Sequence, residues 1–333
     1  MLVPLLILGW CFVVGACVGS FLNVVAWRMP NRMSLSWPGS HCPQCKKPIL
    51  LRDNVPVFGW LWLRGRCRTC GVHIAARYPI VEFLTGAAFA ALAWVELAGG
   101  GANLPSAVPG GDGIAFVSLE SLLYVWVYHA LLAAFLIVAS LFERDGARIP
   151  RGFVIAGLLA GMLPPLLNMP DLQPFLTAGR GWLTEPAWLS QLTTECIGPL
   201  CGAAIGWIVN VGWNGGRGGL WTGCSFVMLV LTFVGAFLGW QAALTTACAA
   251  ALLLLGLRLA ALAAGRTFAY PAAVTACMAF AHILVWRPLT ELPWPGTYLT
   301  NEQIGITSAV TVGASVALAA IARLRPKIPA RAL

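Results

Sequence analysis

The feature that leaves this chain the fewest possible folds is the succession of long apolar stretches running from one end to the other. Crossing about 30 Å of hydrocarbon takes roughly 20 helical residues. Stretches of about that size lie at 2–27, 79–98, 121–142, 153–168, 196–213, 224–240, 241–263, 267–286 and 304–322. Inside a bilayer each backbone N–H and C=O must find its partner within the protein, so such stretches are expected to be helices. The expectation is an all-α, polytopic transmembrane helix bundle of eight or nine helices. The count depends on two places: Gly239-Trp240-Gln241, the only break in 224–263, and 153–168, which is short and contains Pro164-Pro165. With 59% hydrophobic and 10% charged residues, the chain has too little polar surface to cover a soluble globule.

The first stretch reads as an uncleaved helix. Val14-Gly15-Ala16-Cys17 faintly resembles a lipoprotein cleavage site, but no basic segment precedes it. The apolar run is also too long for a signal sequence and stops at Arg28 and Arg32. Lysine and arginine in short loops stay on the cytosolic side. Nine helices with the N-terminus outside place all but Arg180 and Arg287 of the 21 basic residues inside, with the densest group in the loop 28–78. The net charge of +9 then follows from orientation in the membrane and from anionic lipid. It requires no nucleic acid, for which the chain offers neither a basic helix nor an aromatic-basic surface. The expected divisions are a first transmembrane helix (1–27), a cytosolic loop domain (28–78), a membrane domain (79–322) and a basic cytosolic tail (323–333).

The loop 28–78 carries the sharpest chemical signal. Cys42-Pro-Gln-Cys45 is followed after 21 residues by Cys67-Arg-Thr-Cys70, two pairs whose spacing suits a tetrahedral four-thiolate zinc site. Cytosolic thiols stay reduced, so Cys42, Cys45, Cys67 and Cys70 are expected to hold zinc rather than to form disulfides. The alternative is four unligated thiols in a loop. Each pair lies beside a tight turn, and the loop has few core residues, so metal binding would supply much of its folding energy. His41 and His73 flank the pairs and could substitute as ligands. Cys11, Cys17, Cys196, Cys201, Cys224, Cys248 and Cys277 lie in or beside apolar segments without paired spacing and are expected to act as small buried hydrophobes.

Several segments together resemble one family. They are Gly19-Ser-Phe-Leu-Asn-Val-Val-Ala-Trp-Arg-Met-Pro30, Cys42-Pro-Gln-Cys45, Asp53-Asn-Val-Pro-Val-Phe-Gly-Trp60, Leu63-Arg-Gly-Arg-Cys-Arg-Thr-Cys-Gly71 and Arg77-Tyr-Pro-Ile-Val-Glu-Phe-Leu-Thr-Gly86. They look like the N-terminal half of the type IV prepilin leader peptidase family, and Gly235-Ala-Phe-Leu-Gly-Trp240 weakly extends the likeness to about residue 285. The resemblance implies intramembrane aspartyl proteolysis. Such enzymes remove the short basic leader from prepilins and pseudopilins at the cytosolic membrane face, and many also N-methylate the new terminus with S-adenosylmethionine. The residues 79–322 would then form a peptidase-like domain.

The chemistry needs two carboxyls, one ionised to activate water and one protonated to stabilise the tetrahedral intermediate. The family's first motif is an aspartate seven residues before a proline. Here the position holds Glu143, in Leu141-Phe-Glu-Arg-Asp-Gly-Ala-Arg-Ile-Pro150, and Asp145 follows where the family often has a second acid. The bland reading makes both ordinary loop charges balancing Arg144, Arg148 and Arg151. The second motif lacks its acid. Counting back from Gly235 places it at Val227, and matching the upstream glycines places it at Cys224. No Asp or Glu occurs between Glu195 and Glu291. Two readings stay open: a working peptidase using Glu143 with an unconventional partner, or a degenerate relative that binds pilin-like leaders or assembly partners without cutting them.

Two ionisable groups inside spans require an account. Glu82 is a functional candidate by its depth, or it meets a loop cation such as Arg77. His129 is expected to be a satisfied interior group, since no other histidine or acid is placed at its depth. A transporter is disfavoured because charges along the helices are almost absent. The segments 99–120 and 169–195, with Asp112, Glu120, Asp171 and Glu185, are expected to be irregular outer connectors. The chain shows no internal repeat and no glycine-rich nucleotide loop.

Overall fold

The computed structural model describes residues 2–104, 118–166, 187–214, 225–291 and 301–323. Among these residues there is no β-strand, and the chain is helical apart from its loops. The helices are α1 (Leu2–Arg28), α2 (Phe58–Trp62), α3 (Arg77–Ala93), α4 (Leu119–Arg144), α5 (Arg151–Leu166), α6 (Ala187–Asn214), α7 (Phe226–Ala263), α8 (Pro271–Leu284), α9 (Trp286–Glu291) and α10 (Asn301–Arg323). A π-turn, Trp94–Ala98, continues α3.

Six segments among the described residues are long and apolar enough to cross a membrane: Leu2–Arg28, Arg77–Ala98, Leu119–Arg144, Cys196–Asn214, Phe226–Ala263 and Ile304–Ala322. The expected breaks and lengths mostly hold. α7 is one run of helix with a kink at Gly239, whose φ of 87° and ψ of 169° are open to glycine almost alone, so 224–240 and 241–263 are its two arms. The expected crossings at 153–168 and 267–286 are the shorter helices α5 and α8. The expected connector 169–195 is helical from Ala187 onward. Asp112, Asp171 and Glu185 lie outside the described residues, as does the basic tail after Arg323. Glu120 sits in the first turn of α4, whose start is capped by the Ser118 hydroxyl accepting from the Ser121 N–H at 3.1 Å.

The chain divides into two compact units. The first holds α1 to α4, the loop between α1 and α3, and α5 as far as Ile155. Here α1 and α3 approach backbone to backbone, since a Cβ on Gly15 would sit 2.8 Å from the Thr85 carbonyl and one on Gly19 2.8 Å from the Glu82 Cα. Small residues one turn apart allow such contact where no hydrophobic drive separates helix from lipid. In the second unit, a Cβ on Gly198, Gly202 or Gly206 of α6 would collide with the α7 backbone at Gly235, Leu231 and Met228.

The loop between α1 and α3 contains a local backbone repeat, where none was expected from the sequence. The Cys42 N–H donates to the Lys47 carbonyl (3.0 Å), Lys46 N–H to Cys42 O (2.9 Å) and Ile49 N–H to Ser40 O (2.9 Å). Twenty-five positions later, Cys67 donates to Val72 (2.9 Å), Gly71 to Cys67 (2.9 Å) and Ile74 to Gly65 (2.7 Å). Lys46 and Gly71 take equivalent positive-φ positions at 59° and 70°. Besides the cysteines, only the isoleucine that closes each turn, Ile49 and Ile74, is the same in both, so the likeness exists mainly in the backbone.

Candidate functional site

The two turns bring their thiols together. The sulfurs of Cys42, Cys45, Cys67 and Cys70 all lie within 4.8 Å of one another, and Cys42 Sγ is 3.7 Å from Cys70 Sγ. Four sulfurs about 2.3 Å from a tetrahedral zinc would stand about 3.8 Å apart, so the donor set fits one such ion. The backbone favours ionised sulfur here. The N–H groups of Cys70 and Thr69 point at Cys67 and lower its pKa to about 6, and the Cys45 N–H lowers that of Cys42. The Val72 N–H also favours the Cys70 thiolate, but desolvation and the neighbouring thiols outweigh it and push Cys70 up to about 11. Four thiolates this close repel one another and persist together only around a cation. His41 and His73 do not join the cluster; the His41 Nδ1 lies 2.9 Å from the Gly39 carbonyl instead.

The segment between the turns is fixed by polar contacts. Arg68 grips Asp53 with two bonds of 2.6 and 2.5 Å, and the guanidinium holds the Asp53 carboxyl below its ordinary range. The indole N–H of Trp60 donates to the Ile74 carbonyl at 2.9 Å. Val57 has φ 64° and ψ −56°, and Phe58 N–H reaches back to Pro56 O at 2.7 Å. This is a γ-turn of the rare, strained kind, unusual for a β-branched residue. Glu82 holds it: the carboxylate accepts the Val57 N–H at 2.7 Å, with Ser20 as a further donor. Glu82 therefore does not meet Arg77, as one reading supposed. Arg77 Nη1 instead donates to Asp145 Oδ1 at 2.7 Å.

Glu143 and Asp145 lie at the C-terminus of α4. Ala147 N–H bonds Phe142 O (2.9 Å) and Gly146 N–H bonds Glu143 O (3.1 Å), with Gly146 at φ 60°. That pattern is a Schellman cap, and it explains why the helix stops within Glu143-Arg-Asp-Gly146. Glu143 is half-buried in the last turn, anchored by the fully buried Phe142, which packs edge-on against Phe153 at 5.0 Å. Asp145 is the C-cap and is engaged by Arg77. Val227, the ungapped position for a second acid, is a buried apolar residue of α7, and Cys224 lies outside the described residues.

His129 is a satisfied interior group as expected, but the ground for that expectation needs correction. An acid does share its depth: Glu96 Oε1 is 2.6 Å from His129 Nδ1, and both side chains are buried. Asn103 Nδ2 donates to the same oxygen at 3.1 Å. Glu96 stands near the end of its apolar stretch, where an acid reads as an interfacial charge. The π-turn widens the helix there and turns the carboxylate towards α4, which the spacing of residues does not reveal. A second histidine, His282, is buried on α8 with Nδ1 3.4 Å from the Thr245 hydroxyl.

Known proteins match this chain in sequence. Residues 13–96 match the family model described as the bacterial peptidase A24 N-terminal domain. A prepilin leader peptidase/N-methyltransferase of Aeromonas hydrophila is 31% identical over 265 residues, covering 71% of this chain and 81% of the relative. The chain belongs to the prepilin leader peptidase family. Within that family, the Escherichia coli type 4 prepilin-like proteins leader peptide-processing enzyme is 35% identical over 169 residues, which is 45% of this chain and 53% of that protein. The Myxococcus xanthus prepilin leader peptidase/N-methyltransferase is 31% identical over 243 residues, or 70% of this chain and 56% of that relative. The chain thus spans little more than half the length of these two relatives. No solved structure matches. The cysteine turns, the Glu82 latch and the Arg77 start of α3 all lie inside the region matched by the family model.

Proposed function

We propose that this family member is a leader peptidase of the bacterial inner membrane, acting on prepilin or pseudopilin leaders at the cytosolic face, with zinc held by its four-cysteine loop on that side. The observation that carries the reading is Glu143, a carboxylate set in the capped last turn of α4 seven residues before Pro150. An ionised Glu143 would take a proton from water as the water attacks the scissile carbonyl, and it would later return that proton to the leaving amine. Zinc would be structural, since four protein thiolates leave no open coordination position. Methylation of the new terminus from S-adenosylmethionine belongs to the same proposal. No residue is assigned to that donor, because the chain has no glycine-rich nucleotide loop.

A specific observation favours a second reading. Aspartyl chemistry needs an acid to protonate the developing oxyanion, and the chain has no Asp or Glu between Glu195 and Glu291. In that reading the protein binds leaders without cutting them. Cleavage of a prepilin by the purified protein, compared with Glu143→Gln, separates the two. Cleavage lost in the Gln form supports the peptidase. Leader binding without cleavage in both forms supports the non-cutting relative. Cleavage unchanged by the substitution removes Glu143 from the mechanism.

A further inference from the structure

The loop between α1 and α3 exposes large apolar side chains that no described residue of the first unit covers. Leu51 is 91% exposed, Trp62 83%, Phe58 64% and Leu61 56%. Phe58, Leu61 and Trp62 are three and four positions apart, so they share one face of α2, while Gly59 turns inward against the Asp53 carbonyl. A soluble domain rarely leaves such a group uncovered.

The Glu82 latch sets the height of this face. Glu82 lies five residues into α3, about 7.5 Å along the axis from Arg77 at 1.5 Å per residue. Its bond to Val57 therefore holds the start of α2 level with the opening turns of a span. At that level α3 itself exposes Tyr78, Ile80, Phe83 and Leu84, side chains whose solvent is lipid. The apolar face of α2 continues this surface sideways. Aromatic residues with one polar atom favour that depth.

Charge identifies what lies beyond the apolar face. Asp53 is the only acid from 28 to 78, and Arg68 occupies it. Arg32, Lys46, Lys47, Arg52, Arg64 and Arg66 are all exposed. Apolar side chains at interfacial depth, in a loop whose exposed charges are all basic and with Arg52 and Arg64 close to Leu51 and Trp62 in sequence, match an anionic bilayer surface, with acyl chains under the face and phosphates at the rim.

We propose that Leu51, Phe58, Leu61 and Trp62 form an interfacial anchor that seats the four-cysteine loop in the anionic leaflet beside α3. The anchor serves a cutting or a non-cutting family member equally, and it fixes the height of the metal-bound turns above the membrane. A polypeptide is the competing occupant of the face.

The test places a fluorescent amino acid at position 62, at position 58 in a second variant, and at Gln44 as a reference. The full-length protein is held in nanodiscs of phosphatidylcholine, with or without phosphatidylglycerol, containing acyl-brominated lipid. Metal content shows that each variant keeps its loop. We expect bromine to quench positions 62 and 58 at least about threefold more than position 44, and more strongly with phosphatidylglycerol present. Equal quenching at all three positions would overturn the anchor. Indifference to phosphatidylglycerol would overturn the headgroup contact. Loss of quenching on adding a prepilin leader peptide would hand the face to the polypeptide.

Discussion

Removing the metal from the cysteine loop should unfold that loop and leave the spans intact. From residue 31 to residue 76 only Cys42, Gly59 and Gly65 are buried, so no large apolar side chain there is withdrawn from solvent. A fully buried Leu or Phe contributes about 1.5–3 kcal/mol, and none is available. Ordering each backbone residue costs about 1–2 kcal/mol. The other side-chain restraints include the Arg28 guanidinium on the Ser34, Leu35 and Pro38 carbonyls before the first turn, the Arg68–Asp53 pair, the Trp60 indole bond and the Val57–Glu82 bond. Neutral hydrogen bonds contribute about 1 kcal/mol each, and exposed ion pairs less. A four-thiolate zinc contributes about 10–16 kcal/mol, which makes it the dominant restraint on the loop. Treatment with a strong chelator, or Cys67→Ser, should raise amide exchange throughout 40–75 to the unfolded rate and open the loop to trypsin at Arg52, Arg64 and Arg66. Exchange in α3 and α4 should hardly change. Unchanged loop protection in protein shown to be metal-free would refute the reasoning.

Three further outcomes follow from named contacts. Glu82→Ala leaves the Val57 N–H without its acceptor and should destabilise the α2 turn by about 1–3 kcal/mol, read as faster exchange at Val57 to Trp60 with α4 unaffected. Lys46→Gly relieves a positive φ that Gly71 already meets at the equivalent site, and it should stabilise the metal-bound loop by about 1 kcal/mol, measured as a higher chelator concentration at half-release. Removing one member of the buried Glu96–His129 pair leaves the other without that partner and should cost about 1–3 kcal/mol. The Glu96→Ala/His129→Ala double variant should then lose clearly less than the sum of the singles in detergent melting curves, and strict additivity would dissolve the pair.

How much of this was legible beforehand depends on how local each feature is. The spans could be read because hydrocarbon imposes its requirement on every residue of a segment, and Gly239 showed as the break in a long run for the same reason. The metal donors could be read because each pair of cysteines sits in one turn. The end of α4 was half legible: Gly146 and Pro150 mark the stop, whereas the engagement of Asp145 by Arg77 joins residues 68 positions apart. The pairing of Glu96 with His129 was misjudged because a π-turn shifts side-chain direction without any mark in hydrophobic periodicity. The backbone likeness of the two cysteine turns was not legible because only the cysteines and one isoleucine repeat beside the shared hydrogen-bond pattern.

By itself, then, the order of residues determined that this chain is a helical membrane protein, where its thiols converge and which family it joins, since apolar length and turn chemistry act over a few neighbouring positions. Only the tertiary structure decided the partners of its buried and interfacial charges: Glu82 with a strained backbone amide, Arg77 with Asp145, Glu96 with His129. Such choices depend on which donor arrives within about 3 Å, and that distance is set by how helices far apart in the chain pack together.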